Sequence, residues 1–501
     1  MIFLLKKERM PLLLLILFYL MTRLFNLTLL PIFNDETIYL YWAKLIETTH
    51  AHLFISLIDG KPPLLIWVMA LFLKVLPQAS YLLAGRLPSV ITGLISLLGI
   101  YALANFLFNS RKMSLLTAFL YIISPFALLY DKMALFDSFL LSAILWAVYF
   151  ALRTSRSLSK KDALLWGVFL GLAFLAKINA MLYLFLTPLC FLLYANWGQL
   201  LKEWKKVLLA LLIALGVSQL FRYSLIFSRG YHQYTSGSTT RYALPVSALL
   251  KHPFTVFPSN IALYASWFIA YVTWPVFLLG MAGFIMLLKK QPRTGLVLLL
   301  VWAVPLIATS FVSIVTIPRY ILYILPYFLI ASGFAAFQML RNKLFTLALA
   351  VLLLFPIVFD SQLLFNPPSA PLPFADYDQY VSGYPSGYGL QKIFTFLHEA
   401  SRSKKITLVS LGTISTYPYG FNLEFWSDTN VNITTIWPVE KDSPKVIAEL
   451  AKKTPVYVVM KFNSYQEHKN FLKELHLRKI LWSDKPNSSW PIFLAVPQAQ
   501  K

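Results

Sequence analysis

Cysteine is almost missing from these 501 residues: Cys190 stands alone, inside an apolar run. That excludes a disulfide framework and any metal site built from several thiolates. Acidic residues are scarce too, 21 against 44 lysines and arginines, for a net charge of +23. No Gly-x-x-x-x-Gly-Lys loop, His-Glu-x-x-His helix or Cys-x-x-Cys pair occurs, so neither a nucleotide nor a zinc ion finds a ready-made cradle. No repeat of about 20–50 residues recurs, which rules out a solenoid.

What fills the chain instead is apolar. Hydrophobic residues make up 58% and charged residues only 13%, with a mean hydropathy of +0.65. Repeated runs of membrane-spanning length then override the several soluble domains that length alone would suggest. The class is mainly α, a polytopic membrane protein. The first twenty residues have a basic head (Lys6, Lys7, Arg9) and an apolar run, with no small-residue cleavage site before Arg23, so they read as a retained span. The other basic residues sit mainly in short loops between apolar runs, where they set topology and meet anionic membrane lipids. A nucleic-acid partner is not expected.

Apolar segments fall at 10–30, 62–77, 84–108, 113–130, 135–152, 163–177, 179–196, 207–227, 262–288, 294–316, 318–339 and 343–360. If the basic clusters between them all face the cytoplasm, every segment alternates correctly except 62–77. That segment is about 24 Å long as a helix, against a hydrocarbon core of about 30 Å. It follows Pro62-Pro63 and carries Lys74. It therefore reads as a juxtamembrane helix within one long outer loop, residues 31–83, leaving about eleven true spans. The same alternation puts the loops 130–137 and 228–261, and everything beyond about residue 361, on the outer face. The expected organisation is a transmembrane domain 1–360, a Pro/Gly/Tyr-rich linker 361–388 and a soluble, extracytoplasmic domain 389–501. In that last domain, strand-like runs at 406–410, 431–437, 456–460 and 492–496 alternate with helical patterns near 390–402, 444–452 and 465–475, a small α/β domain. The N-terminus would be cytoplasmic, in a plasma membrane.

With that topology the outer face collects Asp35, Glu36, Asp59, Lys61, Arg86, Asp131, Lys132, Asp137, Lys177, Arg241 and Arg319. A carboxylate can take a proton from an attacking hydroxyl, and cations can neutralise a departing phosphate. Each residue also has a plainer explanation. Asp35-Glu36 suits the first turn of a helix, and adjacent residues point about 100° apart, so one at most would do chemistry. Lys61, Arg86 and Lys177 at segment ends could be interface anchors. Asp137, flanked by apolar residues, must face protein or a cavity, as the partner of a nearby cation or as part of a site. His232 and His252 are loop histidines, more often solvated than metal-bound.

Read in order, the motifs Asp35-Glu36-Thr37, Asp59-Gly60-Lys61-Pro62-Pro63-Leu64 and Gly85-Arg86-Leu87-Pro88-Ser89 resemble the start of the GT-C integral membrane glycosyltransferases that use polyprenyl-phosphate sugars. The nearest group is that of protein O-mannosyltransferases and lipid A aminoarabinose transferases. Met133 to Ser138, Phe174-Leu175-Ala176-Lys177 and Pro318-Arg319-Tyr320 through Leu325-Pro326 continue the resemblance, which covers roughly residues 10–340. It implies a GT-C fold and transfer of a monosaccharide from a polyprenyl-phosphate donor to an extracytoplasmic acceptor, with inversion. By the same resemblance Asp35 is the catalytic carboxylate and Glu36 its support. Lys61, Arg86, Lys177 and Arg319 would meet the donor phosphate, and Asp59, Asp137, Tyr320 and Arg241 would line the cavity. Some members hold a zinc ion. No ligand set for one is visible here, so no cofactor is assigned and a divalent metal is left open. Two other functions fit parts of the pattern: a transporter or flippase of lipid-linked sugars, whose charges would sit at the midplane, and an oligosaccharyltransferase or ligase of related fold.

Overall fold

The computed structural model describes residues 10–49, 52–76, 81–228, 230–232, 241–412, 415–461, 473, 477–488 and 492–497. The basic head at residues 6–9 lies outside them, as does the helical pattern expected near 465–475 apart from Lys473. The chain forms two compact units. One comprises Met1–Leu27, Ala51–Met69 and Arg86–Pro373; the other comprises Thr28–His50, Ala70–Gly85 and Phe374–Lys501.

The first half of the chain is a succession of helices: α1 (Met10–Leu24), α2 (Asn34–Thr49), α3 (Leu64–Val75), α4 (Tyr81–Phe108), α5 (Arg111–Ile122), α6 (Pro125–Asp131), α7 (Phe136–Ser157), α8 (Lys160–Ala176) and α9 (Tyr183–Tyr194). Their ends follow local chemistry. Ser110 and Ser159 cap α5 and α8 by accepting the amides of Met113 and Asp162, and Pro125 opens α6 where its missing N–H costs nothing. The second half continues with long apolar helices, among them Pro292–Val312, Leu325–Met339 and the pair Lys343–Leu352 and Leu354–Phe365.

Among the described residues six helices are long and apolar enough to cross a membrane, or up to eight if two bent pairs each count as one span. Helix length alone does not reach the eleven spans expected. Breakage accounts for two of the missing spans: α5 and α6 meet at 63° before Pro125, and Phe257–Val272 turns 107° into Trp274–Lys290 at Thr273. Met10–Leu24, Leu64–Val75 and Ile178–Tyr194 are shorter apolar helices. α3 begins after Pro63 and has 12 residues. The two spans most enclosed by protein are Phe136–Ser157, 83% buried, and Pro318–Met339, 89% buried. These two carry Asp137 and Arg319, and a charge tolerated at such depth has to face protein.

The second unit holds a five-stranded sheet of β1 (Ile406–Ser410), β2 (Val431–Thr435), β3 (Val456–Lys461), β4 (Arg478–Ser483) and β5 (Ile492–Val496), in the order β2-β1-β3-β5-β4. β1 pairs in parallel with both β2 and β3, and β5 runs antiparallel to β3 and β4. All five residues of β1 are buried, as a central parallel strand covered on both faces should be. Leu390, Ile393, Phe394 and Leu397 form the buried stripe of the helix Leu390–Ser401, at the spacing an amphipathic helix requires. Val409, Ile447, Val458 and Met460 are part of the domain's apolar core.

Candidate functional site

Lys177 ends α8. Its backbone is extended, its N–H still reaches the Ala173 carbonyl at 2.9 Å, and a 3-10 turn, Ile178–Leu182, follows. That break turns the side chain towards the start of α7. There Lys177 Nζ lies 2.6 Å from Asp137 Oδ1. Asp137 sits in the first turn of α7, where the helix dipole also favours a carboxylate. Its other oxygen, Oδ2, faces Arg319 Nε at 3.8 Å. Arg319 belongs to the 3-10 turn Pro318–Ile324, and its neighbour Tyr320 presents its ring 4.3 Å from Lys177 Nζ.

Lys61 is delivered by a second tight turn. Gly60 closes the 3-10 segment Ile55–Asp59 at φ +70°, a left-handed conformation that glycine adopts without strain, and the Lys61 N–H then bonds the Ser56 carbonyl at 3.0 Å. Lys61 Nζ stands 4.5 Å from the centre of the Tyr242 ring and 3.4 Å from its hydroxyl. Beside it Arg241 Nη1 bonds Asp59 Oδ1 at 2.8 Å, with most of the arginine in the open. A short antiparallel bridge, Ala243 to Ser313, ties this loop to the segment leading to Arg319.

One buried carboxylate, Asp137, lies between two cations, Lys177 and Arg319, and Lys61 brings a third positive charge that Lys177 senses. Cations gathered beside tyrosine rings and hydroxyls can meet an anion such as a phosphate.

The remaining expected residues lie elsewhere. Arg86, fully buried, donates to the Leu27 carbonyl at 2.9 Å and presses on the charge of Lys132, whose own Nζ donates to the Phe25 carbonyl at 2.6 Å. Burial first, then Arg23 and Arg86, lowers Lys132 to about 7. Asp131 is a structural hub: Arg23 Nε lies at 3.6 Å, and the hydroxyls of Tyr19, Tyr121 and Ser138 all reach it. Asp35 and Glu36 belong to the other unit, in the first turn of α2. Glu36 is fully buried and its Oε2 accepts the Phe33 N–H at 2.9 Å, the reciprocal half of a capping box. Asp35 is half-buried. Tyr242 was missed in the sequence; one tyrosine in an aromatic-rich loop carries no signal until the Ala243–Ser313 bridge is seen.

Comparison with known proteins gives the fold a class. The family described as dolichyl-phosphate-mannose-protein mannosyltransferase matches residues 60–221. ArnT from Cupriavidus metallidurans, solved bound to undecaprenyl phosphate, superposes with a TM-score of 0.60 over 98% of both chains at 11% identity. The archaeal oligosaccharyltransferase AglB from Archaeoglobus fulgidus, in complex with an inhibitory peptide and a dolichol-phosphate, superposes with a TM-score of 0.55 over 92% of this chain and 70% of that one, at 14% identity. No curated protein matches in sequence. The chain thus has the GT-C fold and is a multi-pass membrane protein.

Proposed function

We propose that this chain is an inverting glycosyltransferase that moves a monosaccharide from a polyprenyl-phosphate donor to an extracytoplasmic acceptor. The observation that carries the reading is the convergence of three cations, Lys177, Arg319 and Lys61, around Asp137. The undecaprenyl phosphate and dolichol-phosphate named with ArnT and AglB support the same ligand class.

In this reading Asp35 takes the proton from an acceptor hydroxyl, and the acceptor oxygen attacks the anomeric carbon from the face opposite the phosphate. The anomeric carbon–oxygen bond breaks and its electron pair stays on the phosphate, which gains one negative charge. Lys61, Lys177 and Arg319 stabilise that charge as it develops. Arg86 and Lys132 add positive field at a distance. A single displacement requires one base on the acceptor side and inverts the sugar.

The test follows release of undecaprenyl phosphate by the full-length protein from a panel of undecaprenyl-phosphate monosaccharides, in the presence of cell-envelope acceptor. Release that depends on acceptor and disappears in Asp35→Asn is the expected result. Movement of the intact donor across sealed vesicles without acceptor would instead favour a flippase.

A further inference from the structure

The second unit contains a clasp around the turn that carries Asp35. Helix α2 starts at Asn34. The Asn34 N–H donates to the Pro385 carbonyl at 3.0 Å, and Asn34 Oδ1 accepts the Thr416 N–H at 3.1 Å. Just ahead of it, the Phe33 ring meets Tyr380 edge-on at 4.8 Å, and both residues are buried. A side chain at Gly387 would put its Cβ 2.0 Å from the Ile32 carbonyl oxygen, so the two backbones touch there and only glycine fits. Two turns further along α2, Tyr41 stacks on Tyr419 at 4.1 Å. Two C-terminal segments, 380–387 and 415–420, therefore grip residues 32–41.

The first of these segments is itself held from one point. Lys485 follows the edge strand β4 and is 5% exposed. Its ammonium donates to the carbonyls of Gly383 at 2.7 Å, Ser386 at 2.8 Å and Tyr384 at 3.4 Å. An ammonium has three N–H donors, and one turn of backbone uses all of them. Ser386 Oγ closes the same turn on the Val381 carbonyl at 2.8 Å. Pro385, whose carbonyl receives the Asn34 N–H, sits between two of the residues that Lys485 holds.

We propose that Lys485 is a positioning residue for Asp35: by locking the 383–386 turn it fixes the acceptor that sets the first turn of α2. The sheet domain then acts on transfer through the placement of the base. This rests on reading Asp35 as the base, and the experiment separates the two claims. Lys392 provides the control, because it too donates to a carbonyl of this unit, that of Trp482 at 3.1 Å, but lies on its exposed surface.

Full-length wild type, Lys485→Met, Gly387→Ala, Lys392→Met and Asp35→Asn are compared in detergent micelles. Amide exchange at Asn34–Thr37, affinity for undecaprenyl phosphate alone, and turnover per undecaprenyl-phosphate-binding site are measured. Normalising to bound undecaprenyl phosphate removes any loss that comes only from unfolded protein. In Lys485→Met the Asn34 amide exchanges faster and kcat falls, each by about tenfold or more, while undecaprenyl phosphate affinity stays within about twofold. Lys392→Met behaves as wild type. Normal kcat with a protected Asn34 amide in Lys485→Met overturns the positioning role. If Lys485→Met does not fold, Gly387→Ala decides, because it forces Ile32 away while Lys485 stays in place: lowered kcat supports the clasp and normal kcat overturns it. An active Asp35→Asn removes the base reading, and an inactive one beside a fully active Lys485→Met removes only the clasp.

Discussion

Asp137 binds Lys177 through Oδ1 at 2.6 Å and faces Arg319 through Oδ2 at 3.8 Å, so a single carboxylate divides itself between two cations. The arrangement holds both cations in place beside one another.

Replacing Asp137 by Asn tests that division. The variant keeps the shape but removes the carboxylate that Lys177 and Arg319 share, a loss of about 3–5 kcal/mol where such a pair is fully buried and less here, because Lys177 is only partly buried. Undecaprenyl phosphate should restore part of it, so the ligand should raise the melting temperature of Asp137→Asn more than that of wild type. Thermal unfolding with and without the lipid measures both shifts. Equal shifts would mean the phosphate does not meet these cations.

Lys61 has a different prediction because its partner is a ring and a hydroxyl. Lys61→Met should weaken undecaprenyl phosphate binding by about tenfold or more, the worth of one charged hydrogen bond. Tyr242→Phe keeps the ring under the ammonium and should cost no more than about threefold. Titration at two ionic strengths checks the charge: the difference between wild type and Lys61→Met should shrink as salt rises.

Glu36 and Asp35 separate by stability against turnover. Glu36→Gln retains an acceptor for the Phe33 N–H and should stay within a few tenths of a kcal/mol, whereas Glu36→Ala should lose about 0.5–2 kcal/mol. Asp35→Asn should leave the melting temperature nearly unchanged and abolish transfer. If Glu36→Gln were as inactive as Asp35→Asn, Glu36 would be a working group rather than a cap.

The membrane class was legible because apolar runs are long and composition is cumulative. The strands at 406–410 and 492–496 and the helix near 390–402 were legible because their periodicity is local. Three features were not. Helix α2 lies within the stretch read as one long outer loop, with only its first turn suggested by Asp35-Glu36, because its sixteen residues mix Asp, Glu, Lys and Thr among aromatics, giving a weak stripe, and its N-terminal support comes from Pro385 and Thr416, some 350 or more positions away. β4 hides because Arg478-Lys479 begins it and it takes an edge of the sheet. The span count exceeds what helix length supports because Thr273 and Pro125 break two helices whose hydropathy runs straight through the bend, and because apolar runs such as Met10–Leu24 and Ile178–Tyr194 form helices shorter than a span. Within the candidate site, charge type was readable from sidedness. The sharing of Asp137 and the bond from Arg86 to the Leu27 carbonyl depend on packing between helices, which no local pattern encodes.

Lys485 supplies a test by pH. Burial lowers it from the ordinary 10.5 to about 8, with Asp378 opposing. Between those values the unfolded chain holds a proton that the folded chain has released, so the unfolded state binds more protons and stability rises with pH. The group therefore lowers stability below about pH 8, by at most about 3 kcal/mol, and that cost fades as pH climbs through the window. Subtracting the melting curve of Lys485→Met from that of wild type across pH 7–11 isolates this contribution, since every other titrating group is common to both. The difference should move in favour of wild type between about pH 8 and 10.5 and level off beyond. A flat difference would mean that the three carbonyls keep the ammonium charged in the folded state, with its proton uptake unchanged by folding.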